Sequence, residues 1–188
     1  MKGLSSTRPI AWIIPVGAFI AAFACAGSAS AGGPETSIQT EYLMTLHAPL
    51  DPPQAIDQGL LVYNVQPGGW VEGTRIKGKL LAPAADWLRV MPSGVLRLDV
   101  RGTIQTDDGE LIYVSYGGAI QCSKEQADRL NAGQQLKADD CYFITAPTFQ
   151  TKSDKYAWLN AVQAVGKMIS VKVGGEGGHV RYNIFAVK

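Results

Sequence analysis

The sequence predicts an all-β domain that forms either an antiparallel barrel or a sandwich. About nine short segments alternate between apolar and polar residues with a period of two, which is typical of half-buried strands. Short loops rich in glycine, proline and aspartate join nearly all of these segments. Only one segment has a convincing helical pattern, so helices do not alternate with strands as a doubly wound fold requires.

The N-terminal segment has the pattern of a secretory signal. Lys2 and Arg8 precede an apolar run at positions 10–26, and Ala29-Ser30-Ala31 gives the small-x-small sequence that signal peptidase accepts. The alternative is an uncleaved membrane anchor, but Pro15 interrupts the run, which is short for a span of about 20 residues. We therefore expect residues 1–31 to be a signal peptide and the protein to be periplasmic or secreted.

The remaining residues, 32–188, form one predicted domain of nearly neutral charge. The whole chain has a formal net charge of +1, and removal of Lys2 and Arg8 leaves −1. No basic cluster is present, which argues against a nucleic-acid partner. After signal cleavage we also expect no membrane partner, whereas a homo-oligomer stays open.

The first half of this domain is predicted to consist of strands separated by turns. Pro49 ends the first strand because proline lacks a ladder donor, and Gly73 and Gly78 are candidate bulges or bends. Thr106-Asp107-Asp108-Gly109 predicts a hairpin turn. The predicted strands in this half are 38–47, 60–65, 70–81, 87–90, 95–105 and 111–116, with a loop at 82–86.

The second half begins with the one predicted helix, an insertion between strands of about ten residues. Ser123 and Gln126 fit a capping box, and Gly133 supplies a C-terminal stop. The strands that follow are predicted at 141–146, 156–165, 168–173 and 179–187, the last two joined by the glycine-rich turn at 174–178.

Two cysteines, Cys122 and Cys141, flank this helix. Because an exported chain meets an oxidising compartment, we expect them to form a disulfide bond. Two buried thiols that never meet are the alternative.

Familiar catalytic and metal-binding motifs are absent from the sequence. No serine lies in a Gly-x-Ser-x-Gly elbow, and the glycine-rich turn joins two strands and does not precede a helix. His47 and His179 are far apart in the sequence, and no other ligand lies at metal-binding spacing. We therefore predict no metal and no cofactor.

A polar stripe on the strand at 95–105 is the first candidate site. Asp99 and Arg101 share one face of the strand because they are two residues apart. On an outward face they are ordinary solvated residues. On an inward face they would bind a polar ligand or act as an acid/base pair, or would form a buried ion pair.

A second group combines Asp86 with aromatic residues. Asp86 and Trp87 would either cap a loop and pack in the core or lie at the mouth of a pocket. Aromatic residues that could line such a pocket alternate at strand spacing, which is also typical of an ordinary core. These residues are Tyr113, Tyr142, Tyr156 and Trp158.

The sequence resembles the domain-of-unknown-function family numbered 3237. The resemblance covers nearly the whole mature chain and rests on a set of short motifs that are specific only together. These motifs are Gly68-Gly69, Glu72-Gly73, Gly78, Ala85-Asp86-Trp87, Gly94, Leu98-Asp99-Val100-Arg101, Thr106-Asp107-Asp108-Gly109, Ile112-Tyr113-Val114, Tyr142-Phe143, Pro147-Thr148-Phe149 and Tyr156-Ala157-Trp158-Leu159-Asn160.

The resemblance implies a compact antiparallel β-barrel, similar to calycin-type folds, and no settled activity. Two features depart from the family pattern. Ile144 stands where the family usually has arginine, which would remove a polar group from the pocket. Export and the two mature cysteines also differ from the usual cytoplasmic members.

These observations favour a small-molecule pocket. As an enzyme without cofactors, the protein would use Asp86, Asp99, Arg101 and Tyr113 for acid/base work on a carbonyl, lactone or phenolic compound. The reaction would be of the lyase, isomerase or hydrolase type. As a lipocalin-like carrier it would hold an apolar or aromatic ligand, and a purely structural role ranks last. Ligand contacts are predicted for Trp87, Tyr142, Trp158 and Asn160.

Overall fold

A computed structural model describes residues 37–188, so the signal predicted at 1–31 lies outside the described residues. This part contains eleven strands, one α-helix and one 3₁₀ helix. The strands are β1 (Thr40–Pro49), β2 (Gln54–Ala55), β3 (Leu60–Asn64), β4 (Gly69–Glu72), β5 (Lys77–Val90), β6 (Leu96–Thr106), β7 (Leu111–Gln121), β8 (Leu136–Lys137), β9 (Tyr142–Gln150), β10 (Ala164–Lys172) and β11 (His179–Val187); the helices are α1 (Lys124–Asn131) and the 3₁₀ helix Asp154–Ala161.

Eight of the strands close into an antiparallel barrel, which confirms the predicted all-β barrel. Around the ring the order is β5, β4, β1, β11, β10, β9, β7 and β6, and pairing between β6 and β5 completes the circle. β3 pairs with the second half of β5. The short strands β2 and β8 pair with β3 and β10, respectively. Closure leaves the ring without a free edge.

Strand β6 shows how the sequence sorts residues between the two sides of the barrel. Leu98, Val100 and Ile104 are buried and point inward, whereas Asp99 and Arg101 alternate with them and are exposed. The same alternation in the other strands fills the interior with apolar side chains. The core therefore lies inside the barrel, as the period of two predicts.

Strand β5 is one continuous strand, although the sequence predicted a loop at residues 82–86. Its pairing with β6 shifts register between Leu81 and Ala85, so an irregularity is accommodated within the strand. Beyond this shift, β5 pairs with β3 on one side and β6 on the other, with Asp86 opposite both Tyr63 and Val100. Pairing on both edges outweighs the weak strand propensity of the Ala-Pro-Ala segment.

The two predicted bend glycines mark places where strands approach closely. A Cβ atom on Gly78 would lie 2.7 Å from the Cα of Thr106, and one on Gly73 would lie 2.9 Å from the Cα of Met44. Neither glycine lies at the register shift of β5. They are needed for backbone proximity, which any side chain would prevent.

Helix α1 and the disulfide agree with the sequence predictions. The Ser123 hydroxyl accepts from the N–H of Gln126, whose side chain accepts from the N–H of Ser123, which completes the capping box. Cys122 and Cys141 are bonded, with Cα atoms 4.7 Å apart. Among residues 37–188, no helix has the length and apolar character needed to cross a membrane.

The strand predicted at 156–165 is wrong in its first part, where the chain forms the 3₁₀ helix Asp154–Ala161. The buried residues Tyr156 and Leu159 are three apart, which matches one turn of a 3₁₀ helix. Side-chain bonds hold this turn: the Tyr156 hydroxyl donates to Asp108 at 3.0 Å, and Asn160 bonds both the N–H and the C=O of Thr151. The alternation of aromatic residues in the sequence does not by itself distinguish a strand from a 3₁₀ helix.

Candidate functional site

A cavity of about 310 Å³ occupies the part of the barrel interior next to helix α1. Most of its wall is aliphatic. Every strand of the ring except β4 contributes to it, as do Ala127 and Leu130 of α1. The disulfide partners Cys122 and Cys141 also line it. Its size falls at the small end of the range for ligand pockets, and its wall has the usual apolar character.

Asp86 is the one carboxyl group among the residues that line this cavity. It points inward with Leu88 and Val90, and its Oδ1 accepts a hydrogen bond of 3.0 Å from the N–H of Asp99 on β6. Burial raises the pKa of Asp86 from the ordinary 3.8 to about 6; the N–H bond opposes this shift, and the charge of Asp99 adds slightly to it. Asp86 can therefore exchange a proton near neutral pH.

Three tyrosines surround the same space. Tyr63 lies opposite Asp86 in the β3–β5 pairing, and the rings of Tyr116 and Tyr182 meet edge to face with centroids 5.9 Å apart. Burial, reinforced by the carboxyl of Asp86, raises the pKa of Tyr63 and of Tyr116; for Tyr182 burial comes first, and the nearby Tyr116 and Asp86 add to it. All three phenols are therefore neutral at physiological pH, and the hydroxyls of Tyr116 and Tyr182 interact with each other.

The structure does not bring the other predicted catalytic residues to this cavity. Asp99 and Arg101 form an ion pair of 3.2 Å on the outer surface, each with about half of its side chain exposed (52%). Tyr113 is also exposed on the outside. An ion pair this exposed contributes little to stability, and of the four predicted residues only Asp86 faces the interior.

The predicted ligand-binding residues also lie outside the cavity wall. Trp87 follows Asp86 and points outward, where the Arg101 guanidinium lies 5.6 Å from its ring centroid. Tyr142 is exposed at the start of β9. Trp158 packs under Arg75 at 3.8 Å, and Asn160 is occupied by its bonds to Thr151.

Tyr63, Tyr116 and Tyr182 line the cavity but were not among the residues predicted from the sequence. Tyr116 continues the inward series of Ile112 and Val114 along β7, so its strand phase was a usable signal. Ile144 lies on the outward phase of β9 and does not line the cavity. An arginine at this position would also point away from the cavity. The replacement of the family's arginine by Ile144 therefore removes no polar group from the pocket.

The two histidines, far apart in the sequence, come together on the outer face of the barrel. The rings of His47 and His179 have centroids 5.4 Å apart, and burial lowers the pKa of His47 with help from Arg181 and His179. The Nδ1 of His179 contacts the carbonyl of Gly177 at 2.9 Å. Among residues 37–188 there is no group of three or more histidine, cysteine or acidic side chains suited to a metal ion.

The chain matches a protein family that has no assigned activity. Residues 38–187 match the family described as "Protein of unknown function (DUF3237)". A UPF0311 protein of Rhodopseudomonas palustris (strain TIE-1) is 32% identical over 126 residues, covering 65% of this chain and 82% of the relative.

Two solved structures are similar along most of the chain. A conserved protein of unknown function from Rhodopseudomonas palustris has a TM-score of 0.72 at 25% identity, covering 81% of this chain and 99% of its own. A β-barrel-like protein from Acinetobacter baumannii has a TM-score of 0.66 at 31% identity, covering 82% of this chain and 99% of its own.

Proposed function

We propose that this chain, which belongs to the family described as protein of unknown function DUF3237, binds a small, largely apolar molecule in its cavity and exchanges a proton with it through Asp86. The single observation that carries this proposal is a carboxyl group in an apolar cavity, with a pKa of about 6. A group that titrates close to the working pH can act as acid and as base. The reaction would be of the lyase, isomerase or hydrolase type, without a cofactor.

The tyrosines support a ligand with a carbonyl, lactone or phenolic oxygen. Neutral phenols donate hydrogen bonds to such an oxygen and stabilise negative charge that develops on it. Asp86 is held by the N–H of Asp99 through one oxygen, which leaves its other oxygen for the ligand. The acid form of Asp86 would donate the proton, while Tyr63, Tyr116 and Tyr182 stabilise negative charge on the ligand oxygen.

A non-catalytic carrier is the second candidate, and the composition of the cavity wall favours it. Among the described residues that line the cavity there is no serine, threonine, lysine or histidine, and both cysteines are tied in the disulfide. Covalent catalysis by these side chains therefore has no support. The carrier and the acid/base enzyme differ only in whether the bound molecule changes.

Native mass spectrometry against a panel of lactones, enones and phenolic esters tests both candidates. The matched control is Val100→Phe, because Val100 pairs with Asp86 on the neighbouring strand and lines the cavity, so the larger ring would occupy the space beside Asp86. Binding of one molecule by the wild type and not by folded Val100→Phe supports the cavity as the site. Product in the supernatant then indicates an enzyme, and unchanged ligand indicates a carrier. Equal binding by both proteins, or none across the panel, contradicts the proposal.

We also propose that the protein works outside the cytoplasm. The disulfide supports an oxidising compartment, because such bonds are rare among cytosolic proteins. The N-terminal sequence pattern agrees with this proposal.

A further inference from the structure

All ionisable side chains that line the cavity are acids. Its polar side chains are the carboxyl of Asp86, the phenols of Tyr63, Tyr116 and Tyr182, and the amide of Asn131 at the exposed end of helix α1. Among the described residues, the wall includes no lysine, arginine or histidine. Every ionisable group that faces the ligand is therefore an acid, and the Cys122–Cys141 sulfurs do not titrate.

The basic side chains near the cavity point to the outer surface and not into the cavity. Arg101 points to the outer surface and pairs with Asp99, and Arg89 is exposed on the outward phase of β5. On the helix side, Lys124 pairs with Asp128 at 2.7 Å, and Arg129 lies 3.8 Å from Asp140. Asp86 therefore has no cationic partner among the described residues that line the cavity.

This arrangement penalises an anionic ligand. A ligand carboxylate or phosphate would lie in an apolar space beside Asp86, and like charges repel strongly where water is scarce. The anion could enter only if Asp86 took up a proton. An uncharged ligand avoids this cost, and its oxygen accepts hydrogen bonds from the phenols.

We propose that the cavity selects its ligand by charge: it takes an uncharged molecule with a hydrogen-bond-accepting oxygen and rejects the carboxylate of the same skeleton. This inference rests on the proposed function and adds the substrate class to it. It also links anion binding to proton uptake by Asp86. A positively charged analogue would be tolerated, because the ionised Asp86 supplies the counter-charge.

Three probes with one aromatic skeleton test the proposal: 2-naphthamide (neutral), 2-naphthoate (anionic) and 2-naphthylmethylamine (cationic). Fluorescence titrations at about pH 7.5 should give an affinity for the amide at least about tenfold higher than for the carboxylate. Because Asp86 must be protonated for the anion to bind, naphthoate affinity should rise up to about 30-fold as the pH falls from about 7.5 to 5. The affinity of the amide should change less.

Two variants identify the group responsible. Asp86→Asn should bind naphthoate more tightly than the wild type at about pH 7.5, with the pH dependence lost. Asp99→Asn removes a neighbouring carboxylate on the outer surface and should behave like the wild type. Equal affinities for amide and carboxylate in the wild type, or unchanged pH dependence in Asp86→Asn, would overturn charge selection while leaving the proposed function intact. Failure of all three probes to bind would overturn both.

Discussion

Asp86→Asn is expected to stabilise the folded protein at about pH 7.5 while reducing any turnover by about 10²–10⁴-fold, the usual contribution of a general acid or base. Asparagine is close in size to aspartate, and its Oδ1 can still accept from the N–H of Asp99. The variant therefore removes the charge with little change in packing. A gain in stability combined with a loss of activity is typical of a residue retained for function.

The gain depends on pH in a defined direction. In the unfolded chain Asp86 ionises near its ordinary pKa of 3.8, whereas in the folded protein it stays protonated up to about 6. Between these values the folded state binds more protons, so stability falls as the pH rises, and the full penalty applies above about pH 6. Two pKa units correspond to about 3 kcal/mol, so we expect a gain of about 2–3 kcal/mol at pH 7.5.

Urea denaturation at several pH values measures this effect. The difference in unfolding free energy between Asp86→Asn and the wild type should vanish below about pH 3.8. Asp99→Asn is the matched control, because that carboxylate is half exposed and its loss should change stability little. A variant at Asp86 that is destabilised at pH 7.5 would contradict a buried, unpaired carboxyl.

Removal of the disulfide is expected to cost about 3 kcal/mol in the unfolding free energy. Cys122 and Cys141 are 19 residues apart, and closing a loop of that length restricts the unfolded chain by about this amount. The double variant Cys122→Ala/Cys141→Ala suits the test because Cys141 is buried and both residues line an apolar cavity, where serine would add a polar group.

The same double variant should also weaken ligand binding. Helix α1 lies within the loop that the disulfide closes, and its Ala127 and Leu130 form part of the cavity wall. Wild-type protein treated with reductant serves as the control and should match the variant in both stability and affinity. Unchanged stability in guanidinium denaturation would mean that the bond does not restrict the chain as expected.

Much of the barrel could be predicted from the sequence because its strands alternate cleanly. In β6 the apolar and polar residues separate without exception from Leu96 to Arg101, so both the strand and its two faces were readable. The hairpin at Asp108-Gly109, the capping box at Ser123 and the disulfide each follow from local chemistry.

What the sequence could not supply was the side of the barrel to which each polar residue points. Asp86 follows Ala85 in a segment that contains a register shift, and only pairing with both β3 and β6 fixes its inward phase. Asp99 is likewise an aspartate within a strand, but it points to the outer surface of the barrel, whereas Asp86 points into the cavity. Tyr63, Tyr116 and Tyr182 come from three different strands and line one cavity only in the folded barrel.

A ¹³C NMR titration of the aspartate carboxyl groups, with and without 2-naphthamide, tests directly whether Asp86 exchanges a proton inside a ligand cavity. We expect Asp86 to titrate near pH 6 and its signal to move when the amide binds, while the signal of Asp99 does not move on binding. A midpoint near 3.8 for Asp86, together with no response to the amide, would contradict the claim that this carboxyl group is the proton-exchanging centre of a ligand cavity.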